Sequence, residues 1–161
     1  MSELPQRSSS PDAQVKCKTA ALRLLGYRPR SESELRGRLL RKFDRETVEL
    51  VMTKLCEARI IDDDTFARFW LEQRESLSPR SKRLIRTELR QKGIDAELIA
   101  DITNDISDDE NAYRAAYKKA CLLKPEGYEV FSRRLAAFLN RRGFNYDTIK
   151  YAVNRLWRDI K

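Results

Sequence analysis

The chain has 161 residues, with 33 basic and 25 acidic side chains and a net charge of +8. That length allows one domain or a few small repeats, and no apolar run approaches the roughly 18 residues of a transmembrane helix. Histidine, the commonest general base and transition-metal ligand, is absent, and no P-loop, GxGxxG or GxSxG pattern occurs, so neither an enzyme nor a cofactor is expected.

The opening stretch, MSELPQRSSSPDA, lacks the apolar segment of a signal peptide and reads as a Ser- and Pro-rich disordered tail over residues 1–12. Nine amphipathic patterns follow, at about 13–26, 31–42, 45–58, 63–77, 79–92, 95–106, 108–123, 128–142 and 145–160. None alternates as a strand would. Gly26, Gly93 and Gly143 follow such runs, where a left-handed C-cap is wanted, and Asp44, Asp95 and Asn145 stand where N-caps belong. The acidic run Asp62, Asp63 and Asp64 opens the fourth pattern, so it reads as a cap with first-turn acids and not as a metal site. Asp105, Asp108, Asp109 and Glu110 lie at a helix junction without the lysine motif that a two-metal nuclease would bring. Cys17, Cys56 and Cys121 are odd in number and widely spaced, and suit buried or half-buried thiols in a reducing cytoplasm. Most aromatics recur at helical spacing and are expected in the core.

The patterns repeat. Leu35, Ile85 and Leu135 are separated by 50 residues, and so are Leu39, Leu89 and Leu139. Then come RKFD, QKGID and RRGFN, the first one residue short for want of the glycine; beyond that slip Val48, Ile99 and Ile149 match. A small residue recurs in each middle helix at Gly37, Thr87 and Ala137, where a neighbouring helix could approach closely. Repetition at a fixed period means stacked supersecondary units. The fold expected is all-α: three tandem three-helix repeats over 13–61, 62–107 and 108–161, forming an elongated, curved array.

Charge is banded along the chain. Residues 13–61 carry a net +6, 62–78 carry −3, 79–92 carry +5, 93–113 carry −7 and 114–161 carry +8. The fifth pattern holds six cations against one acid, Glu88. At about 100° per residue, Arg83, Arg86 and Arg90 form one stripe opposite Leu84, Ile85 and Leu89, with Glu88 pointing elsewhere. Lys82 flanks the stripe, and Arg80 and Lys92 lie at its ends. Arginine suits bidentate contact with carboxylate or phosphate, so this helix is expected to be a binding surface. Arg133, Arg134, Arg141 and Arg142 form a second basic set.

The segments IIDDDTFARFWLEQR (60–74), SPRSKRLIRTELRQKGID (78–95) and FLNRRGFNYDTI (138–149) are similar to the RecX family of recombination regulators. The likeness spans roughly residues 16–160, with Ser81 where that family usually has glycine. It implies a modular three-helix-repeat fold without catalysis, direct binding to the RecA recombinase filament, and inhibition of RecA ATP hydrolysis and strand exchange. A monomer is expected, with DNA meeting the basic faces. The alternative from the residues alone is a free-standing DNA-binding protein with helix-turn-helix-like repeats. Only the second repeat carries the full arginine stripe, so no reiterated DNA code is evident.

Overall fold

A computed structural model describes residues 9–77 and 79–160. Among these residues nine α-helices form and no strand does: α1 (Pro11–Tyr27), α2 (Glu32–Leu39), α3 (Arg45–Glu57), α4 (Asp63–Leu77), α5 (Lys82–Gln91), α6 (Ala96–Ile102), α7 (Asp108–Leu123), α8 (Tyr128–Arg141) and α9 (Tyr146–Asp159), with a 3-10 turn at Lys124–Glu126. Residues 1–8 of the expected tail lie outside the described residues, and Pro11 already opens α1 behind its N-cap Ser10. None of the helices is long and apolar enough to cross a membrane.

The helix starts follow local chemistry. Asp44, Asp95 and Asn145 each accept a hydrogen bond from a backbone amide of the first turn, and Ser31 forms a capping box with Glu34. Two ends differ from the expected lengths. α2 closes at Leu39, three residues short, because the amides of Lys42 and Phe43 both turn back to the Leu39 carbonyl. α6 closes at Ile102, four residues short, where Thr103 caps it. Gly26 is no left-handed cap: α1 runs through it to Tyr27, and its φ is not positive.

The chain divides into two compact units, Met1–Ala67 with Lys92–Ile94, and Arg68–Gln91 with Asp95–Lys161. The first is built on Cys17 and Ala21 of α1, Leu35 and Leu39 of α2, and Val48, Val51, Met52 and Leu55 of α3. In the second, Ala112, Ala116 and Ala120 form a narrow stripe on α7 at helical spacing, which lets α8 and α9 close over it with Phe131, Leu135, Leu139, Ala152 and Leu156. Ile85 and Leu89 of α5 are fully buried.

A joint recurs within each unit, and it explains the glycines. In the first, Ser31 Oγ donates to the Lys92 carbonyl at 2.6 Å, and the Glu32 amide donates to Asp63 Oδ1 at 2.8 Å. In the second, the Ser81 amide donates to the Arg142 carbonyl at 3.1 Å, and the Lys82 amide to Asp108 Oδ1 at 2.7 Å. Each time a serine heads the middle helix of one repeat and abuts the glycine turn of the next. Gly93 and Gly143 sit at φ 76° and 87°, where a side chain is strained. A Cβ on Gly93 would stand 2.5 Å from Ser33 Cβ, and one on Gly143 would stand 2.6 Å from Ser81 Oγ. The first repeat's turn, Arg41–Phe43, carries no glycine. Of the acidic run, Asp62 caps α4 through the Asp64 amide while Asp63 reaches back to α2.

The column Gly37, Thr87 and Ala137 does not clasp neighbouring helices as its size suggested. A Cβ on Gly37 would meet nothing within 4 Å, the Thr87 hydroxyl donates to its own helix at Arg83 O, and Ala137 is exposed.

Candidate interaction surface

The buried face of α5 is Ile85 and Leu89, which turns Arg83 and Arg90 outward, both exposed. Arg90 donates to Thr87 Oγ1 on its own helix (3.4 Å), and Arg83 reaches the Gly143 carbonyl at 3.5 Å. Arg86 differs from its two companions. It is half-buried, and its Nε donates to Thr103 Oγ1 at 2.8 Å, while that hydroxyl donates to Ile99 O at 2.6 Å. The middle of the stripe is therefore a strut between α5 and the end of α6, with an exposed, weakly held guanidinium on either side.

The cations flanking the stripe are also engaged. Lys82 Nζ donates to the Asn104 carbonyl at 3.1 Å. Lys92 pairs with Glu34. Arg80 pairs with Glu88, which does not point away from the cations but is 9% exposed and also accepts from Trp70 Nε1 (2.9 Å) and Arg74 Nε (2.8 Å). One carboxylate thus binds two guanidiniums and an indole, a charge-assisted cluster in low dielectric. Arg74 lies over the Trp70 ring, 4.6 Å from its centre. Arg74, Glu88 and Thr103 were not legible as site residues; the hint for Glu88 was a single acid on a helix of bases.

In the second basic set, Arg133 and Arg141 are exposed, and Arg134 pairs with Glu126 at 3.3 Å. Arg142 is half-buried, its guanidinium 4.4 Å from the centre of the Phe138 ring. Burial, then the fields of Arg80, Arg141 and Arg74, lower its pKa. The contacts of Ser81 with the Arg142 carbonyl and of Arg83 with the Gly143 carbonyl bring the two basic sets next to each other. The arrangement can present several weakly held guanidiniums to an anionic partner. Among the described residues no group of three or more carboxylates or thiols could hold a metal ion.

Elsewhere, burial alone would raise the carboxyl of Glu34, but Lys92, Arg28 and the Ser31 amide outweigh it and hold the group below its ordinary range. Asp63 shows the opposite: burial raises it despite the hydrogen bond from Glu32.

Comparison with known proteins agrees with this architecture repeat by repeat. Residues 17–55, 62–101 and 107–153 match the family profiles described as the first, second and third three-helix domains of RecX. The chain is 34% identical over 139 residues to the regulatory protein RecX of Chlorobium limicola, covering 86% of this chain and 87% of that one. With the RecX of Corynebacterium efficiens it shares 37% over 154 residues, 88% of this chain and 73% of the other. The crystal structure of RecX from Lactobacillus salivarius superposes with a TM-score of 0.73 over 91% of this chain and 98% of that one, at 24% identity, a likeness of fold.

Proposed function

Since the chain belongs to the RecX family of regulatory proteins, we propose that it binds the RecA recombinase filament and restrains its ATP hydrolysis and strand exchange. The observation that carries this reading is the outward pair Arg83 and Arg90, exposed and, among the described residues, without carboxylate partners, beside the exposed Arg133 and Arg141. A RecA–DNA filament offers such groups both protein carboxylates and phosphates. Arg86 through Thr103 and Arg80 through Glu88 anchor α5, so the filament meets pre-positioned guanidiniums and not a loose basic helix.

The protein acts here as a ligand of the filament. Stabilising or capping one filament conformation requires only differential binding to it, and no bond is made or broken by this chain. No observation favours the free-standing DNA-binding alternative. The test is binding of the fluorescently labelled protein to RecA filaments on single-stranded DNA, set beside the same DNA without RecA. Tighter binding to the filament supports the proposal. Equal affinity for naked DNA would instead make it a DNA-binding protein.

A further inference from the structure

At one repeat position the middle helices carry three different side chains: Arg38 in α2, Glu88 in α5 and Phe138 in α8, 50 residues apart. In α5 this position is satisfied internally, because Glu88 takes Trp70 and Arg74 of α4 together with Arg80. In α8 it is satisfied as well, with Lys119 Nζ 5.3 Å and the Arg142 guanidinium 4.4 Å from the Phe138 ring centre. Among the described residues α2 shows no counterpart to either arrangement. Arg38 lies at the edge of an open groove of about 320 Å³ floored by Ala20 and Leu24 of α1 and by Leu39 and Phe43.

The rim of that groove is entirely basic. Arg23, Arg38, Arg41 and Lys42 are all exposed, and among the described residues none of their side chains meets a carboxylate. The buried Arg30 guanidinium nearby has its pKa lowered, by burial first and then by Arg28 and Arg38, with Glu34 opposing them. An apolar floor under four unmatched cations is a surface short of an anion. The second repeat supplies that anion from its own sequence, at Glu88; the first repeat does not.

We propose that this groove docks an acidic protein segment that carries one bulky apolar side chain. The apolar side chain would fill the floor over Leu24 and Leu39, and the flanking carboxylates would pair with Arg23, Arg38 and Lys42 as Glu88 pairs with Arg74 and Arg80. A nucleic acid fits less well. The one ring in the floor, Phe43, is half-buried against the core of its unit, and no hydroxyl or amide side chain lines the groove to contact a base edge. The inference does not depend on the RecA reading, since the groove lies in the first repeat and the test below contains no RecA.

The probe is a short synthetic peptide of aspartate, glutamate and glycine with a single central phenylalanine, titrated into the isotope-labelled full chain and followed by amide chemical shifts. The expected result is saturable shifts centred on Ala20, Leu24, Lys42 and Phe43, lost when phenylalanine is replaced by glycine in the peptide and weakened by salt. The double variant Arg23→Glu/Arg38→Glu should bind roughly tenfold more weakly while keeping its helicity, since both side chains are exposed and rim charges of this kind each contribute modestly. Arg23→Gln/Arg38→Gln, which adds no repulsion, should fall between the two. Shifts that fall elsewhere, unchanged affinity in the folded variants, or oligothymidylate occupying the same residues more tightly than the peptide would each overturn the proposal.

Discussion

Gly143→Ala puts a methyl group into the joint between the second and third repeats. The residue sits at φ 87°, and the new Cβ would lie 2.6 Å from Ser81 Oγ, 2.8 Å from Leu84 Cβ and 3.3 Å from Leu84 Cδ2. A left-handed backbone costs a non-glycine residue about 1–2 kcal/mol, and overpacking a fitted contact adds about 1–3 kcal/mol. Ser81 cannot swing away freely, because its hydroxyl accepts from the Leu84 amide at 3.1 Å and caps α5. The expected loss is therefore about 2–5 kcal/mol, read from urea unfolding followed by circular dichroism. Gly37→Ala is the internal control: it lies in α2 with nothing within 4 Å of its Cβ, and it should stabilise by about 0.5–1 kcal/mol. If Gly143→Ala costs no more than an ordinary surface change of about 0.5 kcal/mol, the turn is not clasped as described, and the repeated joint is not what holds these repeats together.

Other substitutions separate surface from scaffold. Arg83→Glu/Arg90→Glu should leave thermal stability nearly unchanged and weaken filament binding at low salt, whereas Arg86→Glu should lower stability as well, because it breaks the strut to Thr103; melting curves beside filament binding distinguish the two. Glu88→Ala leaves Arg74 and Arg80 facing each other without their shared carboxylate, and should cost about 2–3 kcal/mol, with Glu88→Gln intermediate. The two shifted carboxylates predict opposite pH responses in thermal melts. Asp63, raised by burial, is costly when ionised; Asp63→Asn keeps the acceptor for the Glu32 amide, so it should equal or exceed wild type at neutral pH and lose that advantage as pH falls through the raised folded value to the ordinary aspartate value. Glu34, held low mainly by Lys92 and Arg28 against its burial, contributes stability above the ordinary glutamate value; that contribution fades as pH drops through its depressed folded value, where Glu34→Gln should converge on wild type.

The helices and their threefold grouping were legible because their signals are local or periodic. A 50-residue spacing fixes Leu35, Ile85 and Leu135 on one buried face, and side chains such as Asp44 and Asn145 fix helix starts within three residues of themselves. What stayed hidden depends on chain segments meeting at a distance. Gly93 and Gly143 read as helix stops, which they are, but their contact with Ser33 and Ser81, some 60 residues earlier, carries no sequence signal. Helical angle alone put Arg86 with Arg83 and Arg90, yet Thr103 lies on its side of α5 and takes it out of the free set. Glu88 read as a stray acid because its partners Trp70 and Arg74 belong to α4. The basic rim of the first repeat escaped notice because Arg23 lies on α1 and Arg38 on α2, so no one helix shows the cluster.

The most direct test of regulation is DNA-dependent ATP hydrolysis by RecA from the same organism, on single-stranded DNA, with the protein added below the RecA concentration. Regulation of RecA through the Arg83 and Arg90 surface requires that hydrolysis fall with the folded wild-type protein and be largely restored when Arg83→Glu/Arg90→Glu replaces it. Unchanged hydrolysis in the presence of wild-type protein shown to be folded would contradict it.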